Sequence, residues 1–203
     1  MSKFLEVVNT VLDAGLNGLG PLTGAKELAD EYLQDSRYAD DEARIDSLIN
    51  WESSKNFASG FVLGLGGLMA LPVTIPTSLG ASWAVQARLV GAIAHIQGHD
   101  VTEDRVRTLI LLSILGDAGK EVVKEAGVKV GNKLGMKAVE AIPGRVLIEI
   151  NKLVGFRLIT KAGEKGIINL IKLVPVAGGL VGGTIDTVVC RKVGAAARKN
   201  FAP

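Results

Sequence analysis

Apolar residues recur at helical spacing along most of the chain. In the first twenty residues they fall three or four positions apart, which is the spacing of one face of an α-helix. Later segments repeat this period, and the sequence contains no alternation of the strand type. The pattern therefore predicts an all-α fold, a compact single-domain bundle of glycine-rich helices over residues 1–203. The apolar positions of the first predicted helix are Leu5, Val8, Leu12, Leu16 and Leu19.

The longest uncharged stretch runs from Phe57 to Gln86 and contains no Asp, Glu, Lys, Arg or His. Pro72 and Pro76 lie near its middle. Proline lacks the amide hydrogen and its ring clashes with the preceding turn, so one straight helix is not expected across this stretch. The pattern predicts an apolar hairpin of two helical segments with its break at these two prolines.

The two segments of this hairpin do not suit a conventional membrane span. The first, residues 57–71, is about 22 Å long at 1.5 Å per residue, whereas the hydrocarbon core of a bilayer is about 30 Å thick. The second, residues 78–97, is long enough but contains Arg88, and a charge near the bilayer centre is costly. Partial insertion into a membrane, contact with its surface and burial in the protein core all stay open.

Capping residues and glycines predict where further helices begin and end. Thr23 is expected to cap the second helix, and either Asp100 or Thr102 is expected to cap the helix that begins after residue 102. The side-chain oxygens of these residues can accept hydrogen bonds from the free backbone N–H groups of a helix start. Gly98 is expected to end the preceding helix in a left-handed conformation. Toward the carboxyl terminus, the predicted helices lie within residues 145–163, 166–175 and 176–201.

A glycine repeat predicts one helix with a close-packing face. Three glycines fall four residues apart, so on a helix they share one face, and three lysines two residues after them lie nearly opposite. This spacing predicts a helix that packs closely on one side and presents a basic face on the other. The glycines are Gly127, Gly131 and Gly135, and the lysines are Lys129, Lys133 and Lys137.

A second glycine pattern lies in the last predicted helix. Its interleaved G-x-x-x-G rows allow helix backbones to approach closely, in lipid or in protein. Asp186 follows in the same apolar segment. It either forms a structural ion pair, with Arg191 and Lys192 as candidates, or marks a polar spot that holds a ligand headgroup. The glycines of these rows include Gly178, Gly182 and Gly183.

Charge is divided unevenly along the chain. The net charge is only +2 over 203 residues, but residues 1–55 carry 5 Lys/Arg against 11 Asp/Glu, and residues 56–203 carry 18 against 10. This division predicts an acidic amino-terminal helical arm and a basic, apolar body. A basic body suits an extended anionic partner, either a membrane surface or a nucleic acid. Nucleic acid is not expected, because the few aromatic residues are scattered rather than interleaved with Lys or Arg.

Basic residues beside apolar segments form the predicted lipid-binding or ligand-binding site. Several cations that face an anionic leaflet together would give reversible, salt-sensitive attachment. The alternative is an ordinary solvated helix face, because Glu121, Glu125 and Glu140 lie nearby and partly cancel the field. The residues assigned to this site are Arg88, Arg105, Arg107, Lys129, Lys133, Lys137 and Asp186.

The sequence predicts no enzyme, metal site or cofactor. His95 and His99 lie four residues apart, but a helix end at Gly98 would separate them, so a histidine and carboxylate metal site is not expected. No serine-hydrolase elbow, phosphate-binding loop or zinc-protease motif occurs. Cys190 is the single cysteine, which excludes an intramolecular disulfide. The first residues lack the pattern of a secretory signal, so a cytoplasmic location is expected.

Two long segments resemble the bacterial EcsC family. Residues 60–116 are similar in their glycine-rich run, in the Pro-x-x-x-Pro break with Gln and Arg after it, and in the Gly-x-Asp before the next helix. Residues 172–201 are similar in a proline followed by a glycine-rich helix that carries an Asp. The resemblance implies a cytoplasmic, hydrophobic, helical protein that acts at membranes and, in some members, is encoded beside components of ABC transporters. It supplies no catalytic residues.

Three functions are expected from these features. The first is a non-enzymatic protein, peripheral to the inner face of the cell membrane, that binds anionic lipid through the apolar hairpin and basic helix faces. The second is a soluble carrier that holds an acyl chain or another apolar ligand in an internal cavity. The third is an adaptor that packs a small-residue face on a membrane transporter subunit. An enzyme that acts on a lipid is a further alternative.

Overall fold

A computed structural model describes residues 3–20, 22–58, 77–129, 131, 134–172 and 178–202, and of residues 54–58, 77–79, 161–172 and 178–187 it describes the backbone. This part of the chain contains nine helices and no strand. The all-α prediction is therefore confirmed. The helices are α1 (Lys3–Asn17), α2 (Ala25–Gln34), α3 (Asp41–Ala58), α4 (Thr77–Ile96), α5 (Asp104–Leu115), α6 (Asp117–Glu125), α7 (Met136–Glu140), α8 (Gly144–Lys172) and α9 (Gly178–Asn200).

Helix α4 lies at the centre of the bundle, in contact with α1, α2, α3, α5 and α9. Its residues 80–94 are all buried apart from the partly exposed Ser82. A helix that is apolar on every side is stable only where all its faces are covered, and here five other helices cover them. The helix predicted over residues 78–97 thus forms as Thr77–Ile96, and it fills the protein core.

Membrane spans are not found among the described helices, none of which is both long enough and apolar enough to cross a bilayer. This agrees with the charge argument made for the second hairpin segment. Most of the first segment lies outside the described residues, as do Pro72 and Pro76. The proline break therefore stays a prediction.

The amino-terminal helices are part of the same core. Val7, Val11 and Leu12 of α1 and Ile45 and Leu48 of α3 are at most 2% exposed, and they form one cluster with buried residues of α4, α5 and α8. Burial of such side chains contributes about 1.5–3 kcal/mol each. The acidic segment is thus packed into the bundle, and its removal would expose the core.

Helix backbones approach closely at glycines outside the predicted rows. A β-carbon on Gly15 would lie 2.6 Å from the carbonyl oxygen of Ala84, and one on Gly194 would lie 2.7 Å from Cγ1 of Ile49. At Gly155 the same atom would meet the backbone of α1. Any larger residue at these positions would force the helices apart. Small residues therefore set the spacing of α1 against α4 and α8, and of α3 against α9.

The predicted amino-terminal caps are wrong. Gly24 precedes α2 and Glu103 precedes α5, and neither residue provides a side-chain capping bond. Thr23 instead contacts α4, as described below. The Asp100 carboxylate accepts hydrogen bonds from the backbone N–H of Thr102 at 2.9 Å and from its hydroxyl at 2.7 Å. Asp100 is thus engaged in a turn that comes before the helix begins.

Gly98 ends α4 as predicted. Its φ is 83°, a left-handed conformation that glycine adopts without strain. The N–H of Gly98 donates to the carbonyl of His95 at 2.9 Å, and the N–H of His99 donates to the carbonyl of Ala94 at 3.0 Å. This pair of bonds is the Schellman arrangement, which satisfies the last carbonyl groups of a helix.

The predicted helix with a glycine face and a lysine face does not form. Helix α6 ends at Glu125, Gly127 has a φ of 81°, and the described residues between 128 and 135 are not helical. The left-handed glycine closes α6 in the same way as Gly98 closes α4. Gly135 instead precedes the short helix α7. The glycines and lysines of this segment therefore share no helix face.

Toward the carboxyl terminus, one long helix replaces two predicted ones. Helix α8 runs without a break over Gly144–Lys172, through Gly163 and Gly166. An interior glycine weakens a helix by about 1 kcal/mol, whereas proline removes a hydrogen bond and breaks it. Pro175 comes only after α8 has ended. The last predicted helix, within residues 176–201, is confirmed as α9.

Candidate functional site

The directions of α3, α4 and α9 determine which end of the bundle their flanking segments share. Helices α3 and α9 are antiparallel. Arg198, in the last turn of α9, pairs with Glu42 in the first turn of α3 and with Asp46 at 2.6 Å, while Gly194 lies against Ile49. Residues nearer the start of α9 therefore lie beside residues nearer the end of α3.

Helix α4 is antiparallel to α3 and parallel to α9. Arg88 of α4 pairs with Glu52 of α3 at 2.7 Å, and the side chain of Gln97, just beyond α4, donates to the carbonyl oxygen of Arg198 at 3.3 Å. The end of α3 and the starts of α4 and α9 thus lie at one end of the bundle, which we call the hairpin end. The opposite end, where α9 finishes, is called the carboxyl-terminal end.

Two uncharged segments of the sequence adjoin the hairpin end. Residues 57–86 carry no charge and include the start of α4, and residues 173–185 carry no charge and include the start of α9. Because the helix ends beside them meet, both segments are attached to the same end of the bundle. The fold therefore brings together the starts of α4 and α9, which belong to two uncharged stretches about a hundred residues apart in the sequence.

Described residues near the middle of α3 and α9 expose apolar and basic side chains. Trp51 on α3 is 57% exposed and Val188 on α9 is 52% exposed. Arg191 and Lys192 are also exposed, on the same face of α9 as Val188 and one turn farther from the hairpin end. Aromatic rings beside cations are typical of the interface between a membrane and water.

Arg88 does not belong to a positive surface, and that prediction is wrong. The residue is 8% exposed, and Glu52 beside it is 5% exposed. The guanidinium donates to the Glu52 carboxylate, to the carbonyl oxygen of Thr23 and to the hydroxyl of Thr23, each at 2.7 Å. This buried charge is therefore balanced inside the protein, where it joins α3 and α4 to the chain before α2.

The same region contains a stacked pair of tyrosines. The rings of Tyr32 and Tyr38 have centroids 5.7 Å apart, and the Tyr38 hydroxyl shares a 2.8 Å hydrogen bond with that of Ser47. Burial, together with the charge of Glu52, raises the pKa of Tyr32 to about 12. Tyr32 is thus protonated at neutral pH, and the cluster fits a structural role.

Arg105 and Arg107 lie at the start of α5 but in different surroundings. Arg105 is exposed. Arg107 is half-buried and donates to the Asp13 carboxylate of α1 at 2.9 Å. Of these two residues, only Arg105 thus adds a fully solvated positive charge to the surface.

Lys129 and Lys137 are exposed, but they lie toward the carboxyl-terminal end. Between them in sequence is Gly135, whose β-carbon would lie 3.3 Å from the carbonyl oxygen of Asn200. Helix α9 has 23 residues, so about 33 Å separate its two ends. These lysines and the uncharged segments therefore belong to opposite ends of the bundle, which the sequence did not predict.

Glu121 and Glu125, which were expected to weaken the field of nearby lysines, pair with α8. Arg157 donates to Glu121 at 2.9 Å and to Glu125 at 3.0 Å. These carboxylates therefore compensate a charge on α8. The remaining predicted site residues lie outside the described part of the chain or have only their helical backbone described: Lys133, Asp186, Gly178, Gly182 and Gly183.

The two histidines contact different partners. The Nε2 atom of His95 lies 3.2 Å from the carboxylate of Asp30, and that of His99 lies 2.8 Å from the carbonyl oxygen of Phe201. Within the described residues, no group of three His, Cys, Asp or Glu side chains is placed to hold a metal ion. The contacts instead fasten the end of α4 to α2 and to the last residues of the chain.

Two pockets lie among the described residues, and neither suits a long apolar ligand. One, of about 200 Å³, is lined by apolar side chains and Lys129 between α6, α7 and the start of α8. It is smaller than the roughly 300–1,000 Å³ of common ligand sites. The other, of about 530 Å³, is an open cleft between α1 and α2, and most of its lining is polar, including Glu27, Asp30 and Glu31.

The comparison with protein families covers almost the whole chain. A family model described as the EcsC protein family matches residues 3–202. The chain belongs to the EcsC protein family. This match extends the resemblance seen in residues 60–116 and 172–201 to the amino-terminal helices. The comparisons with curated proteins and with solved structures gave no match. The EcsC name identifies no catalytic residue.

Helical spacing put Trp51 on the apolar side of the third predicted helix, but the residue is 57% exposed. Sequence patterns did not single out Val188, and gave Arg191 and Lys192 only as candidate partners of Asp186. Trp51 also comes shortly before the long uncharged stretch, and aromatic residues are enriched where a chain passes from water to lipid. The helix directions that place the starts of α4 and α9 at one end could not be obtained from periodicity.

Proposed function

We propose that this EcsC family protein associates peripherally with membranes through the hairpin end of its bundle. The observation that carries the proposal is the meeting of three helix ends, those of α3, α4 and α9, beside two uncharged segments of sequence. Trp51 and Val188 are exposed on two of these three helices, near the middle of α3 and of α9.

The exposed side chain of Trp51 on α3 supports reversible attachment. Trp51 is 57% exposed, so its transfer to the interface removes on the order of 100 Å² from water, which contributes about 2–3 kcal/mol. A cation near an anionic leaflet adds about 1 kcal/mol. These contributions are smaller than those of a membrane-spanning helix, and they favour a protein that exchanges between membrane and solution.

In this proposal the protein binds rather than catalyses, and it acts at the cytoplasmic face of the cell membrane. Its amino-terminal helices are core elements, so binding does not require the acidic segment to detach. Helix α4 is also core. Lipid contact therefore involves the surface of the hairpin end, and the buried face of α4 stays inside the bundle.

A second candidate is the adaptor function, which one observation favours. Helix α8 exposes Ile148 to 52% and Phe156 to 48%. The two residues are eight positions apart and share one side of the helix. A partner helix could cover them, for example from a transporter subunit. For the carrier alternative, neither of the two pockets described above provides support, since one is small and the other is mostly polar.

Vesicle co-sedimentation combined with tryptophan fluorescence tests the membrane proposal. The chain has two tryptophans, and Trp83 is 8% exposed in the core. In a Trp83→Phe variant, Trp51 reports alone. We expect its emission to shift to shorter wavelength with vesicles and to be quenched by brominated lipids. In the matched variant Trp51→Phe, Trp83 should not respond. Absence of co-sedimentation with both neutral and anionic vesicles at low salt would overturn the proposal.

A further inference from the structure

A small apolar cavity lies at the carboxyl-terminal end of the bundle, away from the proposed membrane contact. Its volume is about 200 Å³, and its lining comes from α6, α7 and the start of α8. The interiors of folded proteins contain few voids larger than a water molecule, whereas this cavity has the volume of about seven waters at roughly 30 Å³ each. An apolar cavity of roughly 150 Å³ stays dry and binds benzene. The volume therefore suits a small apolar molecule, although it does not suit a long acyl chain.

Local backbone structure builds one wall of this cavity. Helix α6 closes in a left-handed turn, after which the N–H of Val128 donates to the carbonyl of Val123 at 3.1 Å. A helix end of this kind brings the apolar residue after the turn against the last turn of the helix, and both valines line the cavity. Buried Leu134 and Ile142 and the small Ala138 continue the lining. The interior of the cavity is thus apolar.

The cavity opens to solvent beside a lysine. Three of its lining residues, Lys129, Gly131 and Ala141, are exposed. Within the residues that the structure describes, no carboxylate forms an ion pair with Lys129. The charge at the mouth is therefore available to a ligand.

The other charges around the cavity are mainly positive. The two carboxylates on α6, Glu121 and Glu125, are both engaged by Arg157. The remaining described charges within two positions of a lining residue belong to three cations and one carboxylate, all of them exposed. They are Lys124, Lys137, Arg145 and Glu140. An excess of positive charge at the mouth of a cleft raises the local concentration of anions.

We infer that this cavity binds a small carboxylate with a short apolar chain, of about four to six carbon atoms. The chain occupies the apolar interior, and the carboxylate lies at the mouth beside Lys129. There it keeps its contact with water, which avoids the cost of burying an unpaired charge. The inference goes beyond the proposed membrane function and does not depend on it, because the cavity and the hairpin end lie at opposite ends of the bundle.

A series of unbranched carboxylates from acetate to octanoate tests the size of the cavity. Binding is followed by NMR, through the methyl signals of Val123, Val128, Leu134 and Ile142. Each buried methylene should raise the affinity about fourfold, so we expect affinity to rise from propionate to about hexanoate and to gain little beyond it. No shift of these signals at tens of millimolar ligand, or an affinity independent of chain length, would overturn the inference.

Variants separate the lysine from the apolar wall. Lys129→Gln should weaken hexanoate binding by about two- to fivefold, the range of an exposed ion pair, and should leave the binding of hexanol unchanged. The matched control Lys192→Gln, also at an exposed position, should change neither. Ala138→Leu fills part of the cavity and should weaken both ligands. Circular dichroism and melting temperature verify that each variant folds.

Two outcomes would contradict this arrangement. If Lys129→Gln lost no more affinity for hexanoate than Lys192→Gln did, the lysine would not recognise the carboxylate. If a folded Ala138→Leu protein bound hexanoate as wild type does, the cavity would not be the site. Should Ala138→Leu fail to fold, the chain-length series and Lys129→Gln still decide. The vesicle experiment on the membrane proposal is separate, so either proposal can fail without the other.

Discussion

Removal of the Arg88 guanidinium tests the buried ion pair that fixes the register of α3 and α4. The variant Arg88→Met takes away the cation that lies 2.7 Å from the Glu52 carboxylate, which is only 5% exposed. Loss of one partner from a buried pair costs about 3–5 kcal/mol, because the remaining charge stays in a medium of low dielectric constant. For a chain of this size we expect the melting temperature to fall by about 6–20 °C.

The double variant Arg88→Met with Glu52→Leu separates the pair from its burial. Replacement of both charges by apolar side chains is often neutral or stabilising, although the carbonyl oxygen and the hydroxyl of Thr23 each lose a donor at 2.7 Å, which costs about 1–3 kcal/mol for each group left without a partner. We therefore expect the second substitution to restore much of the stability lost in the first. The measurement is the free energy of unfolding in urea, followed by far-ultraviolet circular dichroism.

Arg105→Met is the matched control, because Arg105 is exposed on α5. Surface substitutions away from special features stay within about 0.5 kcal/mol of wild type. If Arg88→Met changed the free energy of unfolding no more than Arg105→Met did, the pair would not be buried as described. The antiparallel register of α3 and α4 would then also be wrong, and with it the position of the hairpin end.

Further predictions concern packing, a helix end and pH. Gly15→Ala should lower the free energy of unfolding by about 1–3 kcal/mol, because its β-carbon would lie 2.6 Å from a backbone oxygen of α4. Gly131 lies in open space, so the control Gly131→Ala should be neutral or should stabilise the protein by up to about 1 kcal/mol. Equal effects of the two substitutions on urea unfolding would contradict the close approach at Gly15. Gly98→Ala should lower the free energy of unfolding by about 1 kcal/mol, because residue 98 has a φ of 83°. An unchanged melting curve would argue against a left-handed conformation at the end of α4. In a Tyr38→Phe variant, the Tyr32 phenol should titrate near pH 12 rather than near 10 in ultraviolet difference spectra. Because the pKa of Tyr32 is raised in the folded state, the contribution of this residue to stability is complete below pH 10 and declines as the pH rises toward 12. Titration of Tyr32 near pH 10 in the native state would show that it is not buried beside Glu52.

A local signal in the sequence predicted the end of α4 correctly. Gly98 ends α4 because a left-handed glycine closes a helix with bonds to residues within one turn, so no distant contact is needed. Gly127 ends α6 for the same reason, and the repeat of glycines four residues apart hid this signal. The caps predicted at Thr23 and Asp100 failed because their oxygen atoms are used elsewhere, by Arg88 and by a turn.

The candidate site was predictable only in part. The uncharged stretch of residues 57–86 directed attention to the segment that contains the start of α4, but α4 is core, because five neighbouring helices cover all its faces. The predicted basic residues were chosen by their proximity in sequence to apolar segments. In the fold they are dispersed, with Arg88 inside and Lys129 and Lys137 at the carboxyl-terminal end.

The sequence by itself determined the all-α class, the EcsC family and the bounds of helices such as α4 and α9, because helical periodicity and glycine ends act over a few residues. The tertiary structure alone decided which charges are buried, which glycines lie between helices, and which ends of the bundle carry the uncharged segments and the exposed lysines. Those properties depend on helix direction and register, which are set by contacts between residues far apart in the sequence. Arg88 and Glu52 are separated by 36 positions, and Arg198 and Asp46 by 152 positions. Periodicity within one helix carries no information about such distant partners.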